Sequence, residues 1–438
     1  MKRRHFLAGG AAALGLGWWL RPEDQGQGGH DAYFSSLQAQ LKQHGLARPT
    51  LLLDLDRLDH NIQQMQAWMT PQMAYRVVAK SLPSPQLLDY VMQRSGSRRL
   101  MAFHQPFLNQ FAAAHPDSDL LLGKPMPVEA AARFYRQQRG PFDPARQLQW
   151  LIDSETRLQQ YQQLAQGQQL RLRINVEIDV GLHRGGLQKP SELHRILQRI
   201  DQDPLLEFSG LMGYDPHVTK APALLGLQQR EFARATARYR DFLDAWRHHT
   251  GNDNRDSLCL NAAGSPTFRL WKPVTDLANE LAVGSGLVKP TDFDMPTLDT
   301  HQPAVFIGTP VIKQLSGVSI PIVPALGQLQ SAWNPNRAQS FFIYGGYWKA
   351  QPVSPAGLSL NPTYGRSSNQ EMLNGSARVA LQVDDTVFYR PTQSEFVMLQ
   401  FGDIAVLRGG EIVDQWPVLS GADHPSEATA SHSASAAS

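Results

Sequence analysis

Short apolar or β-branched runs recur eight times between residues 75 and 287, with helix-like stretches between them, and this alternation constrains the fold more than any other feature. The runs are Tyr75–Ser81, Leu100–His104, Leu120–Lys124, Leu148–Asp153, Leu170–Asp179, Phe208–Tyr214, Ser257–Ala262 and Leu281–Leu287. Helical spacing is clearest over Pro127–Gln138, Ser191–Ile200 and Leu225–Trp246. Strands that alternate with helices form parallel sheets, and eight of them predict an α/β chain built on a (β/α)8 TIM barrel. An open doubly wound sheet is the alternative. No G-x-G-x-x-G opens a helix, which weakens a dinucleotide-binding version of it.

After Pro303 the pattern changes to short strands with few helical stretches between them: Val305–Gly308, Gly317–Val323, Phe341–Gly345, Arg378–Val383, Thr386–Tyr389 and Ile404–Arg408. Arg408-Gly409-Gly410-Glu411 has the chemistry of a hairpin turn. We therefore expect a barrel over 45–295 and a C-terminal β domain over 296–420. The segment Arg48–Leu55 is a candidate to pair with the β domain instead of the barrel.

Both ends read as something other than fold. Arg3 and Arg4 precede Phe6 and Leu7 and an apolar Gly/Ala-rich run to Leu20. This resembles a twin-arginine export signal over 1–25, which implies the twin-arginine export machinery as a partner and a periplasmic location. The run is short for a membrane span of about 20 residues, and no clear cleavage site follows it, so an uncleaved anchor is the alternative. The Ser/Ala-rich tail 421–438 is expected to be disordered.

Composition excludes several functions. Lys+Arg 41 against Asp+Glu 39 leaves a net charge of +2, which is no footprint for nucleic acid. The single cysteine, Cys259, rules out an intrachain disulfide and any Cys-based zinc or iron–sulfur site.

In a barrel, chemistry sits at the C-terminal ends of the strands. Lys80, His104, Lys124, Asp153, Arg184, Tyr214, His217 and Ser265 fall there. A lysine ending the apolar run VVAKS is partly desolvated and so nucleophilic, as a Schiff base to an aldehyde cofactor requires. In Val176–Leu187 (VEIDVGLHRGGL) a Gly-rich turn presents His183 and Arg184, whose five fixed donors suit a phenolate or carboxylate. The small-residue loops NAAGSPT and AVGSGL leave backbone N–H groups able to ring a phosphate, with Gly264, Ser265, Thr267, Gly284 and Ser285 as candidates.

The strings RPTLLLDLDRLDHNI and AYRVVAKS, the arginine turn VEIDVGLHRGGL and the strand GLMGYDPHV resemble the pyridoxal-phosphate enzymes with an alanine-racemase-type barrel. Within that class the chain looks most like the D-threonine aldolase and D-serine dehydratase group, from about Arg48 to Val418. The resemblance implies that Lys80 binds pyridoxal 5'-phosphate covalently and that Arg184 contacts its phenolic oxygen. It also places Tyr214 against the cofactor and His217 near the substrate. Val78 and Ser81-Leu82 depart from the histidine before the lysine and the Thr-His after it that the family usually has.

Aldolase and dehydratase members also bind a divalent metal through a histidine followed two residues later by Asp or Cys. Gln393 and Glu395 stand at those positions, and Gln370-Glu371-Met372 stands where the family has Glu-His-Gly. A carboxylate with a neutral amide is a poor transition-metal site, so no metal is expected. The leading expectation is a lyase acting on a D-amino acid with a β-hydroxyl. A racemase on the same scaffold, using Lys80 with His183, Tyr214 or His217, is the second, and a non-catalytic binder of the cofactor or an amino acid the third. A small amino-acid substrate and a homodimer complete the expectations.

Overall fold

The computed structural model describes residues 21–222, 224–319 and 324–420. The twin-arginine-like segment therefore lies outside the described residues except for residues 21–25, and the tail 421–438 lies outside them entirely. Among the described residues, no helix is long and apolar enough to cross a membrane.

The chain divides into two compact units, one from residues up to 65 together with 285–418, the other from 66–284 with the residues after 418. The boundary thus falls ten residues before the position near 295 expected from composition, and the first 65 residues join the β unit. The first strand, β1 (Thr50–Asp54), explains why. It pairs antiparallel with β10 (Val305–Ser316) and parallel with β16 (Ile404–Arg408), setting Leu51 opposite Ile307 and Leu52 opposite Ala405. Its five residues are all buried, and a strand covered on both faces reads as an unbroken apolar run. The pairing with the β domain is the one that the sequence offered for Arg48–Leu55.

The barrel closes as β2 (Ala74–Val78), β3 (Arg99–Ala102), β4 (Asp119–Leu122), β5 (Leu148–Ile152), β6 (Leu172–Ile178), β7 (Leu206–Gly213), β8 (Cys259–Ala262) and β9 (Glu280–Val283). All eight neighbour pairs are parallel. The expected (β/α)8 barrel with a mostly stranded second domain is the observed fold. Most strands end sooner than the apolar pattern suggested, β2 and β9 by the most. β2 stops at Val78 and the chain turns through Ala79–Ser81, while β9 stops at Val283 and a short helix begins at Ser285.

The β unit carries β11 (Gln339–Ile343), β12 (Ala350–Ser354), β13 (Ser359–Leu360), β14 (Met372–Gly375), β15 (Thr386–Pro391) and β17 (Glu411–Trp416) beside β1, β10 and β16. Two expected strands differ. Arg378–Val383 is irregular, because its buried side chains, Val379 and Leu381, hang from a backbone bonded to turns such as Gly28, whose carbonyl accepts from the Ala380 N–H. The described part of Gly317–Val323 is not a strand either. A cluster of Leu37, Leu41, Leu52, Phe306, Phe388 and Leu407 forms this unit's core.

The barrel interior is unexpectedly polar at the level of β2 and β9. Arg76, fully buried, donates to both oxygens of Glu280, to the Leu100 and Asp119 carbonyls and to Asp119 Oδ1. Arg99 donates to Glu280 Oε2 at 2.7 Å, Asn261 to Glu280 Oε1 at 2.7 Å, and Gln149 to Asp119 at 3.0 Å. Burial pushes Glu280 up, but the Arg76 and Arg99 guanidiniums outweigh it and hold the carboxyl down at about 2. Removing one partner of such a pair strands a buried charge. We predict that Arg76→Met lowers unfolding free energy by about 3–5 kcal/mol, read from the denaturant midpoint. Because the folded carboxyl titrates below the ordinary 4.5, the stability Glu280 gives is present above that pH and is lost as pH falls toward 2.

Candidate active site at the barrel mouth

Parallel strands of a closed barrel all end at one mouth, so the residues that follow them gather there by topology. Lys80 follows β2, His104 β3, Lys124 β4, Asp153 β5, Arg184 β6, Tyr214 and His217 β7, and Ser265 β8. The ring of polar residues expected at the strand ends is therefore the mouth of this barrel.

Lys80 sits in the Ala79–Ser81 turn, half-buried, with its Nζ 4.6 Å from the centroid of the Phe103 ring. The turn is fixed from behind by the loop after β9. A Cβ on Gly284 would lie 2.7 Å from Val78 Cβ and 2.9 Å from Ser81 Oγ, so only glycine permits this approach. The Gly284 N–H donates to Ser265 Oγ at 3.2 Å, which ties the two candidate phosphate loops together.

The arginine turn is organised by Asp179. This buried carboxylate accepts from the Gly181 N–H (2.9 Å), the His183 N–H (3.0 Å) and His183 Nδ1 (2.7 Å). Burial raises its affinity for a proton, but those donors prevail and hold it at about 2. A bridge between Ile178 and Leu187 closes the base of the loop. Held this way, Arg184 places its guanidinium carbon 5.0 Å from the centroid of the Tyr214 ring. His183 is bound to Asp179 through its Nδ1, and most of its side chain is exposed.

Tyr214 lies against Gly264, where a Cβ would come within 2.5 Å of the ring. His217 stacks over Gly181, its Nε2 2.9 Å from where a Cβ would stand, and its Nδ1 is buried without a hydrogen-bond partner. Thr267 takes a different place from the one expected. Its hydroxyl accepts the Gly264 N–H at 3.2 Å and donates to the buried Asp215 at 2.5 Å, while Trp271 donates to the other Asp215 oxygen. Thr267 is fully buried and shapes the loop from beneath. Ser285 belongs to the other unit, where its hydroxyl is 3.1 Å from that of Ser394.

Glu177, one residue from the end of β6, escaped notice in the sequence. On its strand it alternates with Asn175, which donates to Gln149 and to the Cys259 carbonyl, so it faces the barrel interior one step nearer the mouth. Burial pushes its carboxyl up to about 7, against the pull of Arg184 and with the repulsion of Asp153 and Asp179. The strand alternation in VEID was the available signal.

These groups suit pyridoxal phosphate: an amine for its aldehyde, a guanidinium for its phenolic oxygen, and Ser265 with glycine loops for its phosphate. The metal expected of aldolases and dehydratases finds no such fit. Among the described residues, no three or more His, Cys, Asp or Glu side chains gather as ligands. The Gln393 amide oxygen lies 3.4 Å from the Lys349 ammonium, a cation that opposes a second one.

Residues 53–290 match the model for the alanine racemase N-terminal domain, and the chain belongs to that family. In structure it is similar to a D-threonine aldolase from Filomicrobium marinum, at 18% identity and a TM-score of 0.67, over 84% of this chain and 94% of that one. It is also similar to the D-threo-3-hydroxyaspartate dehydratase from Delftia sp. HT23, at 17% identity and a TM-score of 0.65, over 85% and 97% of the two chains. Alanine racemase from Bacillus anthracis gives 13% identity and a TM-score of 0.62, over 84% and 97%. At such identities the likeness is one of fold. No curated protein sequence matches the chain.

Glu177 supplies a prediction. Between the ordinary carboxyl value of 4.5 and about 7, the folded protein keeps a proton that the unfolded chain releases. Stability due to this group therefore falls as pH rises through that window. Without cofactor, Glu177→Gln should match the wild-type melting temperature at pH 4 and exceed it at pH 8. Equal melting temperatures at both pH values would show that the carboxyl titrates normally.

Proposed function

We propose that the protein is a pyridoxal-phosphate enzyme of the lyase type, acting on D-amino acids that carry a β-hydroxyl. The observation that carries the cofactor reading is the Lys80 turn, pressed against Gly284 at the mouth of an alanine-racemase-family barrel. The substrate class is supported by the aldolase and dehydratase among the similar structures. Lys80 would hold the cofactor, Arg184 with Tyr214 its ring, and Ser265 with Gly264 and Gly284 its phosphate. When bound, pyridoxal phosphate withdraws electrons from the substrate's Cα. Lys80 Nζ and His217 Nδ1 are the two groups placed to take up or return a proton.

A racemase is the second reading. One observation favours it: Gln393 and its Lys349 partner do not fit the metal on which β-hydroxyl cleavage depends in the group this chain resembles. Export in folded form and a homodimer belong to the same proposal.

Products distinguish these readings. Purified protein should convert D-threonine to glycine and acetaldehyde, or D-serine to an oxo acid and ammonia, at a rate unchanged by EDTA. Lys80→Ala should abolish turnover. L-Alanine from D-alanine, with neither lyase product, would make the protein a racemase, and no product from a broad amino-acid panel would leave a binder. Activity lost to EDTA and restored by one divalent ion would overturn the metal-free reading, with Glu395 then the first ligand to replace.

A further inference from the structure

The helices Pro190–Asp201 and Leu227–Thr250, which follow β6 and β7, bring four side chains into a line that the barrel-mouth chemistry does not use. Gln198 Nε2 lies 3.0 Å from His194 Nε2, His194 Nδ1 lies 3.1 Å from His249 Nδ1, and His249 Nε2 lies 2.7 Å from Asp201 Oδ2. One arrangement of protons satisfies every contact. The Gln198 amide N–H donates to His194 Nε2, the His194 Nδ1–H donates to His249 Nδ1, and the His249 Nε2–H donates to Asp201. A single proton is then shared between two Nδ1 atoms whose rings stand 77° apart.

We propose that His194 and His249 form a two-imidazole site for a divalent transition-metal ion, with the ion held between their Nδ1 atoms. Two nitrogens held by one ion at about 2.0–2.1 Å lie roughly 2.9–3.4 Å apart, which brackets the 3.1 Å observed. Asp201 accepts from the far nitrogen of His249, the carboxylate–imidazole pairing that fixes a ligating ring and raises its basicity. His249 has only 11% of its side chain exposed and is held in place, while His194 is exposed and its ring can tilt to admit the ion. Imidazole donors select zinc, nickel or copper(II) over magnesium or calcium. Among the described residues no third His, Cys, Asp or Glu ligand joins the pair, so water completes the coordination. On binding, the His194 proton moves from Nδ1 to Nε2 and the Gln198 amide turns its oxygen to accept it, so both rings stay neutral and no proton is lost.

The test is calorimetric titration of the full chain with zinc chloride. The wild type should bind one more equivalent than either His194→Ala or His249→Ala. Affinity at this site should fall at least 10-fold in each variant. His248→Ala should match the wild type. Circular dichroism establishes that His249→Ala folds, and the exposed His194→Ala serves as the second variant. Wild-type isotherms in both variants, or a loss confined to His248→Ala, would overturn the site, as would a wild type that binds no zinc.

Discussion

Closure of the barrel between its first and last strands is the constraint on which the rest of the unit depends. β2 pairs with β9 in a register that sets Ala74 opposite Glu280 and Val77 opposite Val283. Arg76 from the first strand and Glu280 from the last meet inside the barrel as a fully buried ion pair, hydrogen-bonded to groups on three further strands. A buried pair of this kind is weak evidence for stability as such, but its geometry favours one register. The same closure presses Gly284, one residue past β9, against Val78 and Ser81, which flank Lys80. Lys80 thus follows a strand whose register the ion pair favours.

Some polar residues at the mouth are held by others beneath them. Asp179 and Thr267, the latter a candidate for the phosphate loop in the sequence, both shape loops. Asp179 gathers three donors of the arginine turn, and Thr267 links Gly264 to the buried Asp215. Lys80, Arg184, Tyr214, His217 and Ser265 remain at the mouth. Glu177 joins them as a carboxyl that burial keeps protonated up to near neutrality.

Much of the fold was legible because strand periodicity and strand ends are local signals. All eight barrel strands lie within two or three residues of the apolar runs, apart from the end of the last. β1 looked ambiguous because burial on both faces erases alternation, whichever sheet provides the cover. The polar barrel interior was not legible. Arg76, Gln149, Asn175 and Glu280 are each isolated polar residues in apolar runs, and only strand register brings them together. Lys80 in VVAKS and Arg184 in GLHRGG are carried by compact motifs, and both stand at the barrel mouth, after β2 and β6.

Borohydride reduction followed by peptide mass mapping tests the central claim most directly. Protein prepared with pyridoxal phosphate and then reduced should carry the cofactor mass on the peptide containing Lys80 and on no other. Labelling of a different lysine, or of none, would contradict the assignment of Lys80 and with it the reading of the barrel mouth as a pyridoxal-phosphate site.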